Sequence, residues 1–252
     1  MLSGIAVYIG MFWSDMNSAM RIIITLGSGI VSYILALVSL GEARFEKSST
    51  PLFLIAAFLQ TTGLFVTLDE FSSGGNWRYA VLLISGTMFL QQALTFWSKK
   101  RTTLLFTSLL FSSAFIATGF DLIGMDEDLI AIVIGSALLC IAYVIDKSEH
   151  HPIASFWYFV GSISLLSGFF HAIHQSVFDI LFLILSCFLM FISTRVQNRT
   201  LLTVSTLSLL GYISYFTTEH FVDSLGWPLV LIILGFVFFG ISSYAFRRLS
   251  HS

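Results

Sequence analysis

Apolar runs alternate along this chain with short polar stretches, and the polar stretches themselves alternate between acidic and basic. The pattern resolves into ten apolar segments: 2–16, 20–40, 51–68, 79–97, 102–123, 128–145, 152–174, 177–194, 201–218 and 228–246. Most reach about 18 to 22 residues, enough to cross a hydrocarbon core of roughly 30 Å at 1.5 Å per residue. Lipid offers no water to stray backbone groups, so such runs must be helices. The expected fold class is therefore all-α, a polytopic transmembrane bundle of nine to ten spans. The first segment is the short one. Leu2 to Trp13 gives about 18 Å of helix before Ser14 and Asp15, and reads as a half-span, an interfacial helix or a span whose beginning is missing.

A period of about fifty residues runs through the pattern, with apolar segments beginning near Leu2, Pro51, Thr102, Pro152 and Leu201. The chain reads as a single integral membrane domain, 1–252, built from tandem hairpins at about 2–40, 51–97, 102–145, 152–194 and 201–246. The second helix of every hairpin repeats one spacing of small residues: Gly29 and Ala36, Gly86 and Ala93, Gly135 and Ala142, Ser186 and Ser193, Gly235 and Ser242. Positions seven apart return to nearly the same helix face. Lipid supplies no hydrophobic force between helices, so close approach over small residues supplies the packing energy. These ten residues are the expected spine. Two copies, "SGIVSYILAL" from Ser28 and "SGTMFLQQAL" from Ser85, are closely alike, and "RTTLLFTSLL" from Arg101 echoes "RTLLTVSTLSLL" from Arg199. Such repetition suggests serial stacking of hairpins.

Composition agrees with a membrane chain: 56% of the 252 residues are hydrophobic and only 10% charged, against about 25% charged in a soluble domain. Charge then orients it. Arg44, Lys47, Lys99, Lys100, Arg101, Lys147, Arg195, Arg199, Arg247 and Arg248 follow the even-numbered segments, leaving only Arg21 and Arg78 on the other side. Short loops rich in Lys and Arg stay cytoplasmic, so those loops and the C-terminus are expected inside and the acidic stretches, such as Asp69–Glu70 and Glu219–Asp223, outside. Trp13, Trp77, Trp97, Trp157 and Trp227 fall near segment ends, where an indole suits the headgroup level. Each proline, Pro51, Pro152 and Pro228, opens a segment, where its missing N–H costs nothing. Cys140 and Cys187 sit inside apolar runs and read as small buried packing residues; two cysteines so placed make neither a disulfide framework nor a zinc site.

The stretches "RIIITLGSGIVSYILALVSL", "RTLLTVSTLSLLGYISYFTTEHFVDSLGWPLVLIILGF" and "FWYFVGSISLLSG" resemble an uncharacterised family of bacterial multi-spanning inner-membrane proteins, a predicted-membrane domain of unknown function. The likeness covers most of the chain, and "DSLGWPL" before the final span is its most specific part. It implies a bacterial inner (cytoplasmic) membrane and brings no catalytic or binding residues with it. It also implies further sequence ahead of the first span.

Candidate chemistry is sparse. "SGFFHAIHQSVFD" places His171 and His174 on one helix face, Asp179 follows across a turn, and "EHFVD" adds Glu219 and His220 on the same side. Imidazole beside carboxylate suits a metal or a proton, and Ser167 with His171 matches a Ser-x-x-x-His element of intramembrane metal hydrolases, whose other His motif is absent. The plainer expectation is a hydrated acidic rim with no metal, no cofactor and no catalytic residue. Within the hydrocarbon depth the polar groups are Gln60, Gln91, Gln92 and scattered Ser and Thr, with no ionisable residue of the kind that ion-coupled transporters and pumps use. There is no phosphate-binding loop, nucleophile elbow or basic groove for nucleic acid. The function expected is that of a non-enzymatic membrane protein that binds or organises lipids or membrane partners. The alternative is a transporter or channel for a weakly polar or apolar small molecule. The partners expected are the lipid bilayer and a further membrane protein, with no nucleic acid.

Overall fold

A computed structural model describes residues 16–42, 44–72, 74–173 and 180–221, with residues 10, 13 and 232; at 180 and 218–221 only the backbone is described. The described chain is helical throughout. Helix α1 spans Ser18–Ser39, α2 Ser49–Phe71, α3 Trp77–Lys99, α4 Thr102–Leu122, α5 Glu127–Asp146, α6 Ala154–Ile173, α7 Ile180–Val196 and α8 Arg199–Phe221. All but α7 are long and apolar enough to cross a membrane, and α7 is a shorter apolar helix. These eight coincide with the second to ninth predicted segments. Apart from residues 10, 13, 16 and 232, segments 2–16 and 228–246 lie outside the described residues, as do Gly235 and Ser242.

The helix starts follow local chemistry. Asn17 and Asn76 cap α1 and α3 by accepting from the backbone N–H of Met20 and Arg78, the capping role that short polar side chains serve. Glu127 and Asp128 occupy the first turn of α5, where carboxylates favour the positive end of the helix dipole. Within α1, Ile23–Gly27 form a π-helical turn. The hydroxyl of Thr25 donates back to the Arg21 carbonyl at 2.8 Å there.

Where the pattern reads as one series of hairpins, the chain divides into two compact units, Met1–Gly124 and Met125–Ser252. The first holds α1–α4 and the second α5–α8. In each, the closest-packed helices are those joined by the basic loops: α1 with α2, α3 with α4, α5 with α6, and α7 with α8. The second helix of the first pair then touches both helices of the second pair, α2 on α3 and α4, and α6 on α7 and α8. The tight pairing is thus offset by one helix from the predicted hairpins, because the small residues of each hairpin's second helix meet the helix that follows it in the chain.

Gly29 and Gly135 show why. A β-carbon on Gly29 would stand 2.7 Å from the backbone nitrogen of Gln60, and one on Gly135 would stand 2.4 Å from that of Leu165. Ala36 and Ala142, one heptad on, are fully buried. The facing helices carry their own small residues at the same spacing, Ser49, Ala56 and Gly63 on α2 and Ala154, Gly161 and Gly168 on α6, all buried. Each member of the second triad lies 105 residues after its counterpart (Ser49 to Ala154). The contacts correspond as well. Gly63 abuts the backbone of Leu26, and Gly168 abuts that of Asp128 and Ile132. In the second pairs, buried Ser85, Met88 and Gln92 of α3 match Ser186, Leu189 and Ser193 of α7, while Leu104 and Ser108 of α4 match Leu201 and Ser205 of α8. Among the described residues the fifty-residue period is therefore half of a longer repeat, a set of four helices made twice.

Large apolar side chains such as Phe58, Leu90, Leu94, Val144, Phe188 and Leu207 are exposed on these helices, as a surface solvated by lipid tails requires. Cys140 and Cys187 are exposed too, a correction to their expected burial. A thiol is apolar enough to face acyl chains without penalty, so interior packing does not have to claim it. Trp157 is likewise corrected: it lies near the start of α6 but is buried, edge-on to Phe156 at 5.3 Å. Trp77 and Trp97 remain exposed at helix ends.

Candidate functional site

The two basic residues that break the charge asymmetry are both paired. Arg21 meets Glu70 at 2.5 Å, joining α1 to α2, and Arg78 meets Asp121 at 2.9 Å, joining α3 to α4. Each bond closes one tight pair of the first unit at its acidic end. Arg101 pairs with Glu46 at the basic end. These are partly exposed structural ion pairs, each of modest worth, and among the described residues they leave no cation free at the acidic end of that unit.

The glutamines of the first unit serve packing. Gln60 is buried between α2 and α1, its Nε2 donating to the Gly29 carbonyl at 3.5 Å. Gln92 is fully buried and its Oε1 accepts from the Thr107 hydroxyl of α4 at 3.2 Å, while adjacent Gln91 is only half-buried. Gln60 and Gln92 thus each bond a neighbouring helix through one amide atom, while Gln60 Oε1 and Gln92 Nε2 are buried without a partner. Of the expected spine, Gly29, Ala36, Gly135, Ala142, Ser186 and Ser193 are buried, whereas Gly86 and Ala93 are half-buried. A β-carbon on Gly86 would meet only the ring of Phe115, at 3.0 Å. Ser193 does more than fill space: its hydroxyl donates to the Asn198 carbonyl at 2.8 Å, bracing the turn between α7 and α8.

The histidine rim is described only in part. His171 is exposed near the end of α6, its Nδ1 2.8 Å from the Ser167 carbonyl one turn back. The imidazole therefore bonds the Ser167 backbone, which is a helix-end contact and not a serine–histidine couple. His174 and Asp179 lie outside the described residues. Glu219 and His220 sit in the last described turn of α8 without described side chains. Among the described residues no group of three His, Cys, Asp or Glu could hold a metal. Ser167 and His171 border a shallow apolar groove of about 440 Å³ between α6, α7 and α8.

A second groove of the same unit carries the more distinctive chemistry. It lies toward the basic end, between α5, α6, α7 and α8, with a volume of about 420 Å³. Leu139, Tyr143 and Val144 form one wall and Leu189, Ile192 and Val196 the other. The seven steps of α7 from Leu189 to Val196 give it a length of about 10 Å at 1.5 Å per residue. At its back stands Tyr158, 1% exposed, whose hydroxyl has no hydrogen-bond partner. A buried unpaired hydroxyl costs about 1–3 kcal/mol. At the rim, Lys147 lies 4.2 Å above the Tyr143 ring and bonds its hydroxyl.

The first unit shows what packing alone requires here. The residue 105 before Tyr158 is Phe53, also 1% exposed and without a hydroxyl. Tyr33, which corresponds to Leu139, lies edge-on to Phe53 at 5.7 Å. Its hydroxyl is bonded to that of Thr95, the counterpart of Val196. A tyrosine and a threonine thus bridge α1 to α3 across this space in the first unit. In the second unit the same positions are aliphatic, the bridge is gone, and a hydroxyl has been added that the fold does not satisfy.

Sequence reasoning did not single out Tyr158 or this groove. The signal was present as a difference between repeats, Phe53 against Tyr158 and Tyr33 against Leu139, and is readable only once the hundred-residue register is known. Comparison with protein-family models, with curated proteins and with solved structures found no match to this chain.

Proposed function

We propose that the chain is a non-enzymatic integral membrane protein that binds lipids and organises them, and with them membrane partners, around its helix pairs. The observation that carries this reading is the α5–α8 groove, apolar along its walls and backed by a single unpaired hydroxyl. Ligand sites are typically apolar clefts of about 300–1,000 Å³ with few, well-placed polar groups, and a lipid tail is the apolar ligand a membrane supplies in excess. The buried glutamines favour the same reading, since they bond neighbouring helices. In keeping with the family resemblance, we place the protein in a bacterial inner membrane with its basic loops cytoplasmic. Arg21 and Arg78, the exceptions to that charge rule, are both neutralised by carboxylates.

The test sets binding against transport. Protein purified in a mild detergent is examined by native mass spectrometry for retained phospholipid, and vesicles containing it are assayed for flux of small neutral solutes. Retained lipid without flux supports the proposal. Saturable solute flux would replace it with the transporter reading.

A further inference from the structure

We infer that the α5–α8 groove seats an acyl chain of one anionic phospholipid, drawn from the leaflet on the basic side. Tyr158 donates to its ester carbonyl and Lys147 meets its phosphate. This rests on the lipid-binding reading above and names the lipid class.

Three independent observations converge on that ligand. The walls are aliphatic and aromatic, so the seated part must be a hydrocarbon chain. Tyr158 asks for an acceptor: it is buried, unpartnered, and replaces a phenylalanine that packs equally well in the first unit. Its depth suits an ester. Tyr158 lies four residues into α6 from Ala154, about 6 Å along the axis, and helical side chains lean back toward the N-terminus, here the basic end. A phenol just beneath the headgroup level is where an acyl ester carbonyl lies and a phosphate does not. The third observation is the charge at the basic end of the helices that line the groove. Lys147 is exposed at the rim on Tyr143. Arg195 and Arg199 flank the turn that joins the two wall helices α7 and α8. Against these three cations stand Asp146 and Glu149. The balance is positive, and basic residues at a membrane surface select anionic lipids. A zwitterionic headgroup would bring its own cation to the same place and lose that advantage.

Cys140 lines the groove and is exposed, which makes it a reporter. In the full chain carrying Cys187→Ser, the rate of Cys140 alkylation by N-ethylmaleimide is measured in detergent with added dioleoylphosphatidylglycerol or dioleoylphosphatidylcholine. The expected result is protection by phosphatidylglycerol at about tenfold lower concentration than phosphatidylcholine, the effect of one charge-assisted contact. Tyr158→Phe should weaken phosphatidylglycerol protection by about 3- to 10-fold. It should leave the melting temperature of lipid-free protein unchanged or higher, since it removes an unpaired hydroxyl. A lowered melting temperature would mean that Tyr158 is structural and would overturn its role. Lys147→Gln, at an exposed position, should abolish the headgroup preference while keeping the fold. Equal protection by the two lipids would overturn the anionic assignment, and protection by neither would overturn the groove as a site. Lipid counted by native mass spectrometry in the same samples separates the two levels. Retained lipid without Cys140 protection sinks this inference alone, whereas no retained lipid sinks the lipid-binding reading with it.

Discussion

Among the described glycines of the second unit, Gly135 has the least room for a side chain. A β-carbon there would stand 2.4 Å from the Leu165 nitrogen and 2.8 Å from the Gly161 carbonyl oxygen, both backbone atoms that cannot move aside cheaply. Gly135→Leu should therefore destabilise the protein by about 3 kcal/mol or more, at or beyond the upper end of ordinary overpacking. Gly86 belongs to the same seven-residue pattern but meets only the flexible ring of Phe115, so Gly86→Ala should cost under about 1 kcal/mol, within the usual range for a tolerated change. Gly211 has nothing within 4 Å of the added carbon, and Gly211→Ala should be neutral or gain up to about 1 kcal/mol from helix propensity. Thermal unfolding in detergent ranks the three. If Gly86→Ala and Gly135→Leu cost the same small amount, the close approach of α5 and α6 is refuted. That all three glycines lie in helices is legible in the sequence. Which one carries the contact is not, because the spacing marks a face without naming what faces it.

At the scale of elements, the turns that close the second pairs are as repetitive as the helices. Lys100 and Gln197 end α3 and α7 in left-handed conformations, with φ of 50° and 58°. Residues with a β-carbon are disfavoured there by about 1–2 kcal/mol, and glycine is not. Lys100→Gly and Gln197→Gly should each stabilise by up to about 1 kcal/mol, the left-handed strain less glycine's greater loss of chain entropy; loss of stability at both would show that the side chains hold these turns. After the turn the two copies diverge. Asn198 caps α8 by accepting from the N–H of Thr200 and Leu201 at 3.0 and 3.2 Å, whereas Arg101 in the equivalent place pairs with Glu46. The sequence pattern locates both turns from the basic residues that punctuate the apolar runs. It does not reveal the tight pairing across them, since the same run of small residues would serve a neighbour on either side.

For the whole molecule, the parity of the helices makes a prediction that does not depend on any site. With Cys140 and Cys187 replaced by serine, single cysteines at Lys100 and Ser148 should label alike with a membrane-impermeant maleimide, and cysteines at Gly75 and Gly124 should label from the opposite face. The proposed orientation makes the second pair reactive in intact cells and the first reactive only after permeabilisation. Labelling of positions 75 and 100 from one face would break the helix count itself, while a clean reversal would leave the count and overturn only the orientation. For the eight described helices, boundaries and the acidic and basic ends follow from the sequence alone, because a bilayer imposes one length and one backbone solution on every span and charge at the ends is read directly. The duplicated four-helix unit, the burial of Trp157, the exposure of Cys140 and the unpaired hydroxyl of Tyr158 were decided by tertiary structure. Lipid and protein interior are about equally apolar, so hydropathy separates membrane from water but cannot tell a lipid-facing side chain from a packed one. Only contact between particular helices makes that distinction, and the candidate site lies where two copies of one packing scheme differ.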